Sequence, residues 1–267
     1  MNPQNGFKPH VIRLGHGPRR VLALHCTLAF GGAWAGLAKL IGEDSTLIAP
    51  DMPSHGKSAD WDEVSDFSDT VLQASFAAME DAPMDVIGHS FGAATALRMA
   101  ALHPERLRSL TLIEPVFFAI ALRDAPGTLA DHDHRAAPFN EAINAGDRPL
   151  AARMFNRMWS ETGSWDQMPE RSRAAMTRAI HVVPDTKPFL YDDTCGLLAD
   201  GALDRVTMPC LLVRGEKALA AIAAVNDGLE RRLPNAQQVV IDGAGHMAPI
   251  SHPVAMAQAF QSLLNRC

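Results

Sequence analysis

The sequence predicts an α/β fold, in which a mostly parallel central sheet carries helices on both faces. Short apolar segments typical of buried strands alternate along the chain with segments typical of helices. The alternation is interrupted once, between residues 116 and 204, where several helical segments follow one another without a strand. We therefore predict a core formed by residues 1–115 and 205–267, with residues 116–204 inserted as a helical cap.

Each element of this prediction follows from a local pattern of apolar residues. The segments with strand composition are 10–14, 20–25, 46–49, 85–88, 107–114, 210–214 and 238–241. Helices of the core are predicted at 67–79, 93–102 and 253–265. Inside the insertion, Asp147 and Pro169 stand where two helices are expected to begin.

The most specific motif is Gly88-His89-Ser90-Phe91-Gly92, which follows an apolar strand and precedes an alanine-rich helix. A serine in a Gly-x-Ser-x-Gly turn between strand and helix has strained backbone angles that expose its hydroxyl. Gly88 and Gly92 stand where a Cβ would collide with the neighbouring strand or helix. This context favours a nucleophile at Ser90 over a structural loop.

A second motif supplies a base for that serine. His246 closes the glycine-rich segment Gly243-Ala244-Gly245-His246 directly after the last strand. A serine hydroxyl is a weak nucleophile at neutral pH, so an imidazole must take its proton during attack. We predict this role for His246; the alternative is a histidine that only packs.

With these two motifs the chain resembles the α/β-hydrolase superfamily from about Val11 to the C-terminal helix. His25-Cys26-Thr27 is similar to the superfamily's His-Gly oxyanion loop, with Cys26 in the place of the glycine. The segment 51–58, Asp-Met-Pro-Ser-His-Gly-Lys-Ser, is similar to its Asp-x-Pro-Gly-His-Gly-x-Ser turn. Cys26 itself is interpreted as a packing residue and not as a second nucleophile.

The resemblance implies an oxyanion hole of two backbone N–H groups. One belongs to Phe91, the residue after the serine, and the other to the loop after His25. By position the second donor is Thr27, with Leu28 as the alternative.

The orienting carboxylate departs from the usual pattern of the superfamily. An aspartate normally follows the penultimate strand in a Gly-Glu-x-Asp pattern, but here residues 215–218 end in Ala218. Glu114 ends the strand before it, where some relatives, the haloalkane dehalogenases among them, carry their acid. A carboxylate after a buried apolar strand is costly unless it has a partner, which favours a role for Glu114. Glu216 remains an alternative, and so does a site that has no orienting acid.

The insertion is predicted to line a substrate tunnel with aromatic and methionine side chains. The candidate pocket residues are Leu28, Phe117, Phe118, Trp159 and Met247. The segment Asp131-His132-Asp133-His134 is interpreted as a mobile, solvated stretch and not as a metal site.

Composition excludes several classes of function. A net charge of −6 with scattered basic residues argues against nucleic-acid binding, and no apolar window of about twenty residues predicts a membrane span. The first residues lack a secretory signal pattern, and the four cysteines lack metal spacing, so we expect a cytoplasmic protein with free thiols. No glycine-rich phosphate loop is present, which argues against nucleotide chemistry, and the expected serine chemistry needs no metal. We therefore expect no cofactor and no metal. The oligomeric state remains open.

Together these patterns predict a cofactor-independent serine hydrolase. Its expected substrate is a small or medium carboxylic ester or lactone, cleaved through an acyl-enzyme. One alternative is a carbon–carbon bond hydrolase or an acyltransferase that uses the same residues. Another, suggested by Ala218, is a hydrolase-derived protein that binds a small molecule without turnover.

Overall fold

The computed structural model describes residues 7–160 and 164–267, and these contain one seven-stranded sheet. Its strands are β1 (Val11–Gly15), β2 (Arg19–Leu24), β3 (Ser45–Pro50), β4 (Met84–His89), β5 (Leu107–Ile113), β6 (Cys210–Gly215) and β7 (Ala236–Ile241). The order across the sheet is β1-β3-β2-β4-β5-β6-β7. β1 is antiparallel to β3, and every other neighbouring pair is parallel. The predicted mostly parallel sheet is therefore confirmed.

Helices surround this sheet. The α-helices of the described residues are α1 (Ala35–Ile41), α2 (Phe67–Ala77), α3 (Phe91–Leu102), α4 (Ala119–Asp124), α5 (Leu129–Asn144), α6 (Arg148–Trp159), α7 (Glu170–Ala179), α8 (Lys187–Leu190), α9 (Ala220–Arg232), α10 (Ala248–Ser251) and α11 (Pro253–Leu264). Short 3-10 turns lie at Gly31–Trp34, Pro104–Arg106, Pro126–Thr128, Trp165–Gln167, Ile180–Val182, Pro184–Thr186 and Leu203–Arg205. None of the helices in this part of the chain combines the length and apolar character needed to cross a membrane.

The strands are apolar on both sides because each side of the sheet is covered. In β2, Val21 and Ala23 belong to the cluster that packs under α1 and α11. Leu22 and Leu24 point the other way, into the larger cluster formed with α2, α3, α4 and α9. Successive side chains of a strand alternate between its faces, so both faces need apolar residues here.

Helices α4 to α8 all lie between β5 and β6, where the sequence predicted a run of helices. As predicted from Asp147, α6 begins with that residue as its cap, and the carboxylate of Asp147 accepts a hydrogen bond from the Leu150 N–H at 3.0 Å. Helix α7 begins directly after Pro169, as predicted.

The interpretation of residues 131–134 as a mobile, solvated stretch is wrong. They lie inside α5, where Asp131 forms a pair with Arg135 one helical turn later, at 2.8 Å. His132 lies on the buried face of this helix and is only 4% exposed. The segment is polar in sequence yet forms part of an amphipathic helix, because His132 occupies a position on the face that packs inward.

Candidate active site

Ser90 lies at the turn between β4 and α3, at the carboxyl edge of the sheet. Its backbone has φ 57° and ψ −117°, a region that costs free energy for a residue other than glycine. Its N–H donates to the carbonyl of Ile113 on β5 at 2.9 Å, which ties the turn to the neighbouring strand. A Cβ on Gly92 would overlap the carbonyl oxygens of Leu24 and His25, so the glycine allows this close approach. The turn has the geometry that a nucleophile elbow requires.

Glu114 follows β5 directly and is fully buried, with a positive φ of 46°. Its Oε2 accepts a hydrogen bond from Nδ1 of His246 at 2.8 Å. Its Oε1 accepts the backbone N–H of Gly215, at the end of β6, at 2.7 Å. Both carboxylate oxygens therefore have donors, which offsets the cost of burying the group. Because Nδ1 donates, Nε2 of His246 carries no proton when the imidazole is neutral.

A second histidine supports the loop that carries His246. Nε2 of His89 donates to the backbone carbonyl of His246 at 2.7 Å, and the two rings lie 5.0 Å apart. Burial holds the pKa of His89 well below its usual value, so its imidazole is neutral at neutral pH. His89 therefore positions His246 through its backbone.

The other carboxylate that the sequence allowed, Glu216, lies elsewhere. It is exposed to solvent, and its carboxylate accepts the backbone N–H of Gly243 at 2.8 Å. Ala218 is partly buried and packs against the core. Of the two carboxylates considered, Glu114 is the one that lies against Nδ1 of His246.

The two backbone N–H groups that the sequence offered in the loop after β2, those of Thr27 and Leu28, differ in their hydrogen bonds. The N–H of Leu28 already donates to Nε2 of His55 at 3.0 Å, while Nδ1 of His55 donates to the Pro53 carbonyl at 2.8 Å. Within residues 7–160 and 164–267, the backbone N–H groups of Thr27 and Phe91 have no acceptor. These two groups are therefore available to a ligand beside Ser90.

His25 and Cys26 hold the start of the same loop. Nδ1 of His25 donates to the carbonyl of Cys26 at 2.8 Å, and its Nε2 accepts the N–H of Met52 at 3.0 Å. Burial raises the pKa of the Cys26 thiol to about 12, so it is protonated at neutral pH. A protonated thiol is a poor nucleophile, which agrees with a packing role.

Two cavities meet at Ser90. The smaller has a volume of about 100 Å³, and His246 and Met247 form part of its wall. The larger has a volume of about 480 Å³ and extends between α5, α6 and the segment 183–191. Thr27 and Trp159 line both cavities, whereas His246 is not among the residues that line the larger one.

Four of the five predicted pocket residues line these cavities. Leu28 and Met247 line the smaller one, Phe118 lines the larger, and Trp159 lines both with its ring 4.3 Å from that of His246. Phe117 is different, because it is fully buried and packs against Phe189 with ring centroids 5.7 Å apart. It belongs to the core, since the chain after β5 turns its neighbour Phe118 toward the cavity instead.

The sequence interpretation missed most residues of the larger cavity, among them His132 and Tyr191. A signal was present, because residues 132, 136, 140 and 144 are spaced by one helical turn and all line this cavity. In the described part of the chain, no group of three or more His, Cys, Asp or Glu residues could hold a metal ion.

Comparison with known proteins adds a family to this geometry. The model of the alpha/beta hydrolase family matches residues 21–259. The lipase LipV of Mycobacterium tuberculosis is 29% identical over 269 residues, which cover 96% of this chain and 97% of LipV. A pimeloyl-[acyl-carrier protein] methyl ester esterase of Aeromonas salmonicida is 31% identical over 255 residues, covering 91% of this chain and 94% of the esterase.

Solved structures agree on the fold. An alpha/beta hydrolase from Sphaerobacter thermophilus superposes with a TM-score of 0.71 at 21% identity, covering 96% of this chain and 95% of that one. The family model matches most of the sequence, and the chain has the sheet and the serine turn described above. These findings together show its family. The chain belongs to the alpha/beta hydrolase family of enzymes.

Proposed function

We propose that this protein is a serine esterase that needs no cofactor, with Ser90 as nucleophile, His246 as general base and Glu114 as the orienting acid. The observation that carries the proposal is the 2.8 Å contact between buried Glu114 and His246, whose imidazole lines the same cavity as Ser90. A carboxylate on Nδ1 fixes the tautomer of the imidazole and stabilises the imidazolium that forms during attack.

The reaction then follows from the positions of these groups. Oγ of Ser90 attacks the ester carbonyl carbon while its proton passes to Nε2 of His246. The N–H groups of Phe91 and Thr27 stabilise the oxyanion, each contributing roughly 3–4 kcal/mol in comparable sites. Collapse expels the alcohol, which takes the proton from His246. Water then attacks the acyl-enzyme with the same proton transfers and releases the acid.

The two cavities support an orientation for the substrate. The leaving oxygen must lie beside His246, because that imidazole protonates it. His246 lines the smaller cavity, so the alcohol part belongs there and the acyl part in the larger one. With about 100 Å³ against about 480 Å³, the substrate has a small alcohol and a longer acyl part. We therefore propose that esters of small alcohols are the preferred substrates.

The relatives point to the same chemistry. One is named a lipase and another a methyl ester esterase, so both carry names of enzymes that cleave carboxylic esters. We further propose that residues 116–204 act as a cap, because α5 and α6 contribute much of the wall of the larger cavity. The partner of the protein is then a small-molecule ester.

Carbon–carbon hydrolysis and acyl transfer would use the same three side chains. Product analysis with and without an acceptor alcohol separates them from ester hydrolysis. The contact between Glu114 and His246 weighs against a protein that only binds, because it supplies the carboxylate that Ala218 cannot.

The proposal is tested with a fluorophosphonate probe, located by peptide mass spectrometry. We expect rapid stoichiometric labelling of Ser90 and none in Ser90→Ala. Active protein should also cleave the methyl ester of octanoic acid faster than its tert-butyl ester, because the alcohol side is small. A folded wild-type protein that neither labels nor cleaves any ester would refute the proposal.

A further inference from the structure

The wall of the larger cavity contains a polar pair, the buried His132 and the half-buried Tyr191, that the reaction above does not use. The hydroxyl of Tyr191 lies 3.4 Å from Nε2 of His132, and Nδ1 of His132 lies 3.1 Å from a carboxylate oxygen of Asp133. His132 is 4% exposed, whereas Asp133 reaches solvent. Because Asp133 accepts from Nδ1, Nε2 is the acceptor and the tyrosine hydroxyl is its donor.

Aromatic side chains surround this pair. The ring of Phe118 lies 4.6 Å from that of His132 and 5.0 Å from that of Tyr191. Burial lowers the pKa of His132 and raises that of Tyr191, so both are neutral at neutral pH. Polar groups in such a wall are costly unless they are well bonded, and the contact between the two is longer than a usual hydrogen bond. The tyrosine oxygen can therefore form a hydrogen bond with a ligand in the cavity.

The pair also lies close to the reacting centre. The ring of Trp159 is 4.3 Å from that of His246 and 5.8 Å from that of His132. The indole ring of Trp159 thus lies between the two imidazoles. Because Ser90, His132 and Tyr191 line the same cavity, an acyl part bound there extends from the serine toward this pair.

We propose that Tyr191, held by His132, is a specificity-determining residue that selects an acyl part carrying a neutral hydroxyl. This inference rests on the proposed esterase function and on the acyl part occupying the larger cavity. The tyrosine oxygen accepts a hydrogen bond from the substrate hydroxyl, while its own O–H donates to Nε2 of His132. A carboxylate is disfavoured at this point, because Asp133 already carries a negative charge there.

The experiment compares methyl octanoate with a set of methyl hydroxyoctanoates whose hydroxyl moves from the middle to the end of the chain. We expect at least one hydroxy ester to have the higher kcat/KM in the wild-type protein. Tyr191→Phe should lower the ratio of kcat/KM between that ester and methyl octanoate by about five- to tenfold, since one neutral hydrogen bond is lost. His134→Asn, an exposed histidine of the same helix, should leave the ratio unchanged. Active protein is counted by fluorophosphonate titration.

Binding to Ser90→Ala separates this inference from the esterase proposal. Calorimetry with the free acids should show tighter binding of the hydroxy acid than of octanoic acid, and Tyr191→Phe in the same background should remove the difference. If wild-type protein cleaves no ester but this difference holds, the esterase proposal fails and the recognition of a hydroxyl stands.

Three results would overturn the inference even in an active esterase. The first is a wild-type protein that prefers no hydroxy ester, and the second is a preference for the hydroxy ester that survives Tyr191→Phe. The third is a preference for monomethyl suberate that disappears in Lys187→Met. Lys187 is an exposed cation that lines the same cavity. This result would therefore mean that Lys187 selects an acyl part that carries a carboxylate.

Discussion

Two buried histidines of the site differ in the partner of their Nδ1 atom, and this difference separates their roles. His246 faces the carboxylate of Glu114 at 2.8 Å, whereas His55 faces the backbone carbonyl of Pro53 at 2.8 Å. A carbonyl fixes the tautomer of a neutral imidazole, but a carboxylate also stabilises the charged form. Burial lowers the pKa of His55 to about 3. His55 is therefore suited to hold the loop after β2, and His246 has the carboxylate partner that the proposed base requires.

The largest effect should come from removing the carboxylate. Glu114→Gln keeps the size of the side chain but replaces the anion beside Nδ1 of His246. We expect kcat to fall by about 10³- to 10⁴-fold, as when the triad carboxylate of other serine hydrolases becomes an amide. The measurement is kcat on a methyl ester, with active protein counted by fluorophosphonate titration.

Glu216→Gln is the matched control, because Glu216 is exposed and bonds only to the turn before His246 in the contacts described above. We expect its kcat to remain within about threefold of wild type, as for most surface substitutions. Comparable losses in both variants, or a loss confined to Glu216→Gln, would contradict the assignment of the acid. Thermal unfolding checks that Glu114→Gln still folds, since Glu114 also accepts the Gly215 N–H.

A second variant tests whether the orienting acid must follow β5 or can also follow β6. Ala218→Asp places a carboxylate after β6, where the superfamily usually has one. In the Glu114→Gln background we expect kcat to recover about tenfold, because any anion that reaches Nδ1 can stabilise the imidazolium. No recovery, with the double variant folded, would show that only the position after β5 reaches His246.

The comparison also predicts a dependence of stability on pH. The pKa of His55 is about 3 in the folded protein, against a usual value of 6.5. Between these two pH values the unfolded chain binds more protons, so the free energy of unfolding falls as pH decreases. This histidine contributes at most about 1.4 kcal/mol per pH unit. Urea unfolding across this pH range should show a shallower decline for His55→Gln than for wild type.

His16→Asn serves as the control for this measurement, because His16 is exposed. Its pH profile should match that of wild type. A profile of His55→Gln that runs parallel to wild type would mean that His55 is not the group whose protonation destabilises the fold.

The sequence predicted the elements that bring the site together, because each is marked by a short local constraint. Ser90 needs glycines on both sides, and His246 follows a strand in a glycine-rich turn. Glu114 was favoured by the cost of burying a carboxylate after an apolar strand, and by its resemblance to relatives that carry their acid at this position. The sheet order then brings these strand ends together at one edge. The sequence indicated this arrangement only through its resemblance to a family.

The walls of the cavities were harder to predict, because they depend on the face that each side chain presents. Phe117 and Phe118 are adjacent, chemically identical and both buried in the same core cluster, yet of the two only Phe118 lines the larger cavity. His132 looked like a solvated residue among aspartates, although its helix turns it inward. Tertiary packing decides such orientations, and this packing cannot be inferred from the pattern of polar residues in the sequence.

The smallest effect is expected at Cys26, the residue that replaces the glycine of the superfamily. Cys26 is among the residues that line the smaller cavity, but burial raises the pKa of its thiol to about 12. The contacts that hold the loop run through its backbone carbonyl, which accepts from His25 at 2.8 Å. Cys26→Ala should therefore change kcat by no more than about threefold, since it removes neither a nucleophile nor a loop contact. A larger loss of kcat in a folded, fully titrated Cys26→Ala sample would instead assign the thiol a part in the chemistry.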